Sequence, residues 1–202
     1  MKIIKRILAI SDIHGCYDEF NKLLEKVKYD SSQDQLILVG DYVDRGKDNL
    51  RTLEMVKKLV DEGSAIALRG NHDQMFLDYV TRPYIYDNVF NYLRNGGDAT
   101  LRNMIKDFDS YQWHYESYVS WATDIMTEYE DLIDFVNKLP YYHKIDNYVF
   151  VHAGVNPYLK NWEDTDQYEM IWIRERFLKS DLPYEETFIH GHTPTINLHC
   201  KH

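Results

Sequence analysis

Three short apolar runs in this sequence each end in a cluster of polar residues, and this repeated arrangement constrains the fold more than any other feature. The runs and the clusters that follow them are 7–10 with 11–15, 36–39 with 40–46, and 65–68 with 69–73. The middle cluster holds two aspartates and an arginine, which a hydrophobic core does not accommodate unless they are paired. Because strands of an open α/β sheet present ligands at their carboxyl ends, we expect a ligand site where these runs end.

The residues between the runs carry apolar side chains at helical spacing. This spacing predicts helices over residues 17–27 and 48–62, and a third helix that begins at residue 71. Strands that alternate with helices pair in parallel and are joined by right-handed crossovers. The predicted fold class is therefore α/β, with the three polar clusters at one edge of the sheet.

Residues 82–139 have a different character, because strand signals vanish and amphipathic helical patterns take their place. No Pro-, Gly- or Ser-rich linker separates this stretch, so we expect a helical insertion within a single domain that spans residues 1–202. Its aromatic residues are expected to form local core: Trp113, Tyr115, Tyr118 and Trp121. After Pro140, strands are predicted at 148–151, at 171–174 and from residue 187.

Composition limits the partners and the compartment. A formal net charge of −10 over 202 residues disfavours nucleic acid and anionic membranes, which both bind through Lys and Arg. The two cysteines form no CxxC pattern and do not require an oxidising compartment. No apolar run is long enough for a signal peptide or a membrane span. We therefore expect a cytoplasmic protein, and the oligomeric state is left open.

The three clusters and two later histidines supply a set of candidate metal ligands. These are Asp12, His14, Asp41, Asn71, His152 and His192. Carboxylate, carboxamide and imidazole ligands together suit first-row divalent ions better than Mg²⁺ or Ca²⁺. The set is too large for one catalytic ion that keeps an open position, so we expect two ions with a bridging water as nucleophile. Asp41 is the expected bridge, with Asp12 and His14 on one ion and the other three ligands on the second.

The remaining polar residues at this edge fit phosphoryl transfer. Arg45 and Arg174 are expected to bind phosphate oxygens as bidentate forks, together with Asn71, and Arg176 is the alternative to Arg174. His72 is expected to protonate the leaving alkoxide, with Asp44 orienting its imidazole and favouring its protonated form.

These motifs resemble those of the phosphoprotein phosphatase (PPP) branch of the calcineurin-like metallophosphoesterases. The resemblance is carried by Asp12-Ile13-His14-Gly15, Gly40-Asp41-Tyr42-Val43-Asp44-Arg45-Gly46, Gly70-Asn71-His72-Asp73, His152 and His192. It implies an α/β/β/α sandwich, two metal ions, and the roles given above for the matching residues. It also suggests Mn²⁺ as the native metal, with Fe or Zn²⁺ as alternatives.

The sequence departs from the family pattern in two places. Ser11 precedes the first aspartate where many relatives have glycine, a change that touches no ligand. The sequence also ends ten residues after His192, whereas relatives usually continue with further strands. We therefore expect those C-terminal strands to be absent from this chain.

The resemblance leaves three functions open. The first is a bacterial-type serine/threonine phosphatase that hydrolyses phosphoserine and phosphothreonine. The second is a bis(5'-nucleosyl)-tetraphosphate hydrolase, although enzymes of that type typically carry a small residue at the position of Asp44. The third is a non-catalytic binding module stabilised by metal, which His72, Asp44 and Arg45 disfavour because a purely structural site needs neither an acid nor a phosphate clamp.

Overall fold

The computed structural model describes residues 4–106, 108 and 114–195. Its first sheet consists of the parallel strands β1 (Arg6–Ile10), β2 (Asp34–Leu38) and β3 (Ala65–Ala67), with β2 in the centre. The three predicted runs are thus confirmed as parallel strands.

Helices follow each strand of this sheet and then continue through the insertion. In chain order they are α1 (Tyr17–Lys26), α2 (Asn49–Asp61), α3 (Asn71–Thr81), α4 (Tyr86–Arg94), α5 (Asp98–Met104), α6 (Tyr115–Glu128) and α7 (Glu130–Lys138). The helical character predicted for 82–139 is confirmed for the part of it that the structure describes. Tyr118 and Trp121 are buried, with their rings edge to face at 5.1 Å, as expected of local core. Trp113 lies outside the described residues.

The second sheet is mixed and contains β4 (Tyr142–Ile145), β5 (Tyr148–Val151) and β6 (Thr187–Ile189). The central strand β5 pairs antiparallel with β4 and parallel with β6. The strands predicted at 148–151 and from 187 are confirmed, whereas β4 was not predicted.

The strand predicted at 171–174 is wrong. Helix α8 (Gln167–Trp172) includes its first two residues, and α9 (Glu175–Lys179) begins directly after its last. The side chain of Asp166 caps α8 by accepting a hydrogen bond from the backbone N–H of Tyr168 at 2.8 Å. A short apolar run fits a strand or a buried helix equally well, and here the cap favours the helix.

Alternate side chains of β2 and the residue after it point to opposite sides of the first sheet. Leu36 and Leu38 pack in the core beneath α1–α7. Ile37 and Val39 face the second sheet and pack with Phe150 of β5. The other face of the second sheet packs against α9 and a short 3₁₀ helix (Trp162–Asp164). These layers form the α/β/β/α sandwich that the family resemblance implied.

In the described ranges, none of the helices combines the length and the apolar character that a membrane crossing requires.

Candidate metal and phosphate site

The loops that follow the strands hold non-glycine residues in a left-handed backbone conformation. The residues with positive φ at this edge are Asp12 (55°), His14 (43°), Asp41 (59°), Asp44 (74°), Arg45 (67°) and His192 (63°). Each such residue costs about 1–3 kcal/mol, so the surrounding contacts must impose the conformation. All six belong to the predicted site, so the positive-φ residues concentrate at the edge where a ligand site was expected.

Glycines allow these loops to approach one another. A Cβ atom on Gly70 would overlap with the backbone nitrogen and a carboxylate oxygen of Asp41. A Cβ atom on Gly46 would overlap with the carbonyl oxygen of His14. The close approach brings the side chains that follow β1, β2 and β3 into one cluster.

The Asp41 carboxylate lies at the centre of this cluster and is buried. Its Oδ1 accepts a hydrogen bond from the backbone N–H of His72 at 2.9 Å. Its Oδ2 lies 3.3 Å from Nε2 of His152 and 3.6 Å from Nε2 of His14. Burial raises the pKa of Asp41, but the neighbouring histidines, His152 before His72 and His14, together outweigh burial and hold this pKa below its usual value. Asp41 is therefore a carboxylate placed between two sets of imidazoles.

Two groups of side chains at this edge have metal-ligand spacing. His14, Asp41 and His72 form the first group, and Asp41, His152 and His192 form the second. Within each group the ligand atoms lie within 4.8 Å of one another. Asp41 belongs to both groups, which is the arrangement that a bridging carboxylate requires.

Among the predicted aspartate and histidine ligands, Asp12 is the one that belongs to neither group within the described residues. Its Oδ2 accepts a hydrogen bond from the backbone N–H of His192 at 3.0 Å, so it lies beside the second group. The third residue of the first group is His72, for which proton donation was predicted instead.

The second group has the donor atoms of a metal site. Nε2 of His152 lies 2.9 Å from Oδ1 of Asn71, while Nδ1 lies 2.8 Å from the carbonyl oxygen of Val39. Nε2 of His192 is buried and has no hydrogen-bond partner among the described residues. Such an unpartnered buried nitrogen fits a divalent ion, since a buried polar atom otherwise loses its hydration without compensation.

The two histidines of this group differ in charge. Burial lowers the pKa of His192 to about 4, so its imidazole is neutral near pH 7 and can coordinate a metal. Burial also lowers the pKa of His152, but the Asp41 carboxylate outweighs it and raises this pKa to about 9. Without a metal, His152 is therefore protonated near neutral pH, and a bound ion would have to displace its proton.

Arg45 connects the histidines of the first group. Its Nη1 lies 3.0 Å from Nε2 of His14, and its Nη2 lies 2.7 Å from Nε2 of His72. Because a guanidinium only donates hydrogen bonds, both Nε2 atoms accept and both imidazoles carry their proton on Nδ1. His14 Nδ1–H then donates to the carbonyl of Val43 at 2.8 Å. In this tautomer the Nε2 lone pair of His14 accepts from Arg45, and a metal ion bound to His14 would replace that hydrogen bond.

Asp73 stabilises the backbone of the site loops, a role that was not predicted from the sequence. Its buried carboxylate accepts hydrogen bonds from the backbone N–H groups of Asp41 (2.8 Å), Tyr42 (3.0 Å) and Gly70 (2.8 Å). Burial, together with the charge of Asp41, raises the pKa of Asp73 to about 6. The signal was available in the sequence, because Asp73 lies in the first turn of α3, where an acidic side chain can cap backbone N–H groups.

The two arginines near the end of the chain have different partners. Arg174 lies with its Nη1 3.4 Å from the carbonyl oxygen of His192, next to the second group. Arg176 instead forms a salt bridge with Glu169. The structure therefore brings Arg174, rather than Arg176, to the edge that holds the other predicted residues.

Known proteins share this combination of sequence and fold. A profile of the calcineurin-like phosphoesterase family matches residues 5–202. The chain is 34% identical over 151 residues to the symmetrical bis(5'-nucleosyl)-tetraphosphatase of Nitrosospira multiformis, an alignment that covers 75% of this chain and 44% of that protein. It is 28% identical over 201 residues to serine/threonine-protein phosphatase 1 of Salmonella typhimurium, with 94% of this chain and 79% of that protein covered.

A solved structure described provisionally as a diadenosine tetraphosphatase has the same fold, with a TM-score of 0.64 and 21% identity over 92% of this chain and 74% of that chain. This chain spans less than half the length of the Nitrosospira tetraphosphatase. The family profile covers the described sandwich and both candidate metal groups, and the chain belongs to the calcineurin-like phosphoesterase family.

Proposed function

We propose that this chain is a metal-dependent phosphomonoesterase that hydrolyses phosphoserine and phosphothreonine in proteins. The observation that carries the proposal is the buried pair formed by His72 and Asp44, whose Nδ1 and Oδ2 atoms lie 2.7 Å apart. When Arg45 turns from Nε2 of His72 to the phosphate, this nitrogen can carry the proton that the leaving group takes, while Asp44 holds the ring through Nδ1.

The metal ligands in this proposal come from the two groups that share Asp41. His14 and Asp41 would hold one ion, with Asp12 as a further ligand, and Asp41, Asn71, His152 and His192 would hold the other. Mn²⁺ is our first choice, with Fe and Zn²⁺ as alternatives, because mixed imidazole and carboxylate ligands suit such ions. When bound, two such ions supply an acidified water and positive charge opposite the phosphate.

Arg45 is the proposed phosphate clamp. It has no carboxylate partner among the described residues, and its two terminal nitrogens contact only the imidazoles of His14 and His72. A guanidinium without a counter-ion is available to bind phosphate oxygens bidentately. Arg174, beside His192, is the proposed second clamp.

The leaving group explains why a phosphomonoester is favoured over a dinucleotide. A serine or threonine alkoxide is a strong base and needs a proton as the P–O bond breaks. A nucleotide released from a polyphosphate leaves as a stabilised anion and needs a proton much less. The full burial of Asp44 against His72 is therefore better matched to alkoxide release.

Hydrolysis of a bis(5'-nucleosyl)-tetraphosphate is the second candidate. It is supported by the names of relatives such as the Nitrosospira protein. Both candidates use the same metals and the same phosphate clamp, so they differ in the substrate groups that lie beyond the reacting phosphate.

Turnover of a phosphoserine peptide and of diadenosine tetraphosphate by the Mn²⁺-loaded chain distinguishes these candidates. We expect a higher kcat/KM on the phosphopeptide. In His72→Asn, we expect the loss of kcat on the phosphopeptide to exceed the loss on p-nitrophenyl phosphate, whose leaving group needs little protonation. Exclusive turnover of diadenosine tetraphosphate would establish the second candidate, and no turnover of any ester would refute both.

A further inference from the structure

We infer that Thr100, in the helical insertion, is a positioning residue that sets the orientation of the Asp44–His72 pair. The inference rests on the proposed function, because that pair is the proposed proton donor. It assigns the insertion a part in the reaction, in addition to its part in the core.

Thr100 makes two hydrogen bonds to Asp44 with a single hydroxyl. Its Oγ1 donates to Oδ1 of Asp44 at 2.7 Å and accepts from the backbone N–H of Asp44 at 3.0 Å. The other carboxylate oxygen of Asp44, Oδ2, lies 2.7 Å from Nδ1 of His72. Thr100 and Asp44 are both fully buried, so no solvent competes for these bonds. One oxygen of Asp44 is thus fixed by Thr100 while the other fixes His72.

The backbone of Asp44 needs this support. Its φ is 74° and that of Arg45 is 67°, and both values lie in the left-handed region that non-glycine residues avoid. The hydrogen bond from the Asp44 N–H to Thr100 stabilises the backbone conformation of Asp44. The backbone of Arg45 is stabilised by the same segment of the insertion, because the Arg45 N–H donates to the carbonyl of Gly96 at 3.2 Å. The insertion therefore fixes both the proton donor's partner and the phosphate clamp.

The turn that carries Thr100 is itself fixed by packing. A Cβ atom on Gly97 would overlap with the ring of Tyr92, a fully buried residue of α4. The Thr100 N–H donates to the carbonyl of Gly97 at 3.0 Å. Because α4 and α5 meet tightly here, the Thr100 hydroxyl is presented to Asp44 by a rigid support rather than by a loose loop.

Thr100→Val tests the inference, because valine keeps the branched shape and removes both hydrogen bonds. We expect kcat on a phosphoserine peptide to fall about tenfold to 100-fold, the usual effect of losing a group that orients a site residue. The loss on p-nitrophenyl phosphate should be much smaller and KM should change little, because neither the metal ligands nor Arg45 is altered. Thr100→Ser retains the hydroxyl and should recover most of the lost rate.

Thr52→Val is the matched control. Thr52 is also fully buried, and its hydroxyl oxygen has no hydrogen-bond partner in the part of the chain that the structure describes. The same substitution there should leave kcat and its dependence on the leaving group unchanged. The comparison separates loss of a buried hydroxyl in general from loss of the bonds to Asp44.

A readout without turnover completes the experiment. The His72 Nδ1 proton, bound to Asp44, should give a low-field ¹H resonance in the metal-free protein, assigned through its absence in His72→Asn. Thr100→Val should shift or broaden this resonance, whereas Thr52→Val should not.

The results distinguish a failure of the proposed function from a failure of the role inferred for Thr100. A wild-type chain that hydrolyses no ester refutes the proposed function, while the resonance still tests the contact of Thr100 with the pair. If the wild type is active, equal losses in Thr100→Val on both esters, or an unchanged resonance, would overturn the inference. If Thr100→Val does not fold, a rate deficit in Thr100→Ser as large as that in His72→Asn would overturn it as well.

Discussion

Nδ1 of His72 lies 2.7 Å from Oδ2 of Asp44, at a place where neither side chain is accessible to solvent. Parallel pairing of β2 and β3 brings the two residues together. Asp44 lies in the loop after β2, and His72 lies in the first turn of α3, which follows β3. Because both are buried, the imidazole has one orientation and directs Nε2 toward Arg45 and the first metal group.

Asp44→Asn should therefore impair proton donation more than substrate binding. Asparagine has nearly the same shape but no charge, so it neither stabilises an imidazolium nor selects one tautomer. We expect kcat on a phosphoserine peptide to fall by about 10²–10⁴-fold, the contribution typical of a general acid. The loss on p-nitrophenyl phosphate should be far smaller. A variant that loses both activities in the same proportion would exclude this role for Asp44.

Arg174→Ala and Arg176→Ala form a matched pair of substitutions that tests the second phosphate clamp. Arg174 lies beside His192, whereas the charge of Arg176 is already paired with Glu169. Because a hydrogen bond to a charged group contributes about 1.5–3 kcal/mol, inhibition by inorganic phosphate should weaken about tenfold or more in Arg174→Ala. Arg176→Ala should behave as the wild type. A larger weakening of phosphate inhibition in Arg176→Ala than in Arg174→Ala would show that Arg176 is the clamp.

Gly70→Ala should disturb the metal site as well as the fold. The added methyl group would overlap with the backbone nitrogen and the carboxylate of Asp41, so the loops after β2 and β3 would have to separate. Overpacking of this kind costs about 1–3 kcal/mol, measurable by denaturant unfolding. Gly63→Ala is a useful comparison, because Gly63 has a φ of 67° but no atom within 4 Å of the added carbon. Both variants should lose stability, and only Gly70→Ala should lose Mn²⁺ affinity. Undiminished Mn²⁺ binding by Gly70→Ala would contradict the packing described here.

The stability of the metal-free protein should fall as the pH rises from about 7 through about 9. Burial lowers the pKa of His152, but the Asp41 carboxylate raises it further, to about 9 and above its ordinary value of 6.5. The folded state therefore binds a proton more tightly than the unfolded state. This stabilisation is complete at pH values below the pKa of His152 in the unfolded chain, 6.5. It is lost as the pH rises through the folded-state pKa of about 9.

Thermal unfolding in the presence of a chelator measures this dependence. Asp41→Asn should flatten it, since the charge that raises the pKa of His152 is removed. A wild-type Tm that rises over this pH range would contradict the assignment of a protonated His152.

The convergence of the strand-end residues could be predicted because parallel pairing leaves few alternatives. Once the runs at 36–39 and 65–68 are neighbouring parallel strands, the loops after them must lie side by side. The contact between the His72 N–H and Asp41 is a direct result of this arrangement. The first metal group follows from parallel pairing within the first sheet, whereas the second also requires the second sheet to pack so that His152 and His192 reach Asp41.

Contacts made by the insertion could not be predicted in this way. Thr100 reaches Asp44 from a distant position in the sequence, and an isolated threonine in a helix carries no local signal for such a contact. The helix α8 was missed for a different reason, since Ile171 and Trp172 fit a strand as well as a helix when periodicity alone is considered. The capping aspartate before α8 was the stronger signal.

We propose that side chains from separate strand ends hold two divalent ions that share Asp41. Calorimetric titration of the metal-free chain with Mn²⁺, with Asp41→Asn titrated alongside, tests it most directly. We expect two equivalents for the wild type and a weakening at both sites in the variant, because a bridging carboxylate contributes to each. A single equivalent in the wild type, or a variant that binds both ions as tightly as the wild type, would contradict it.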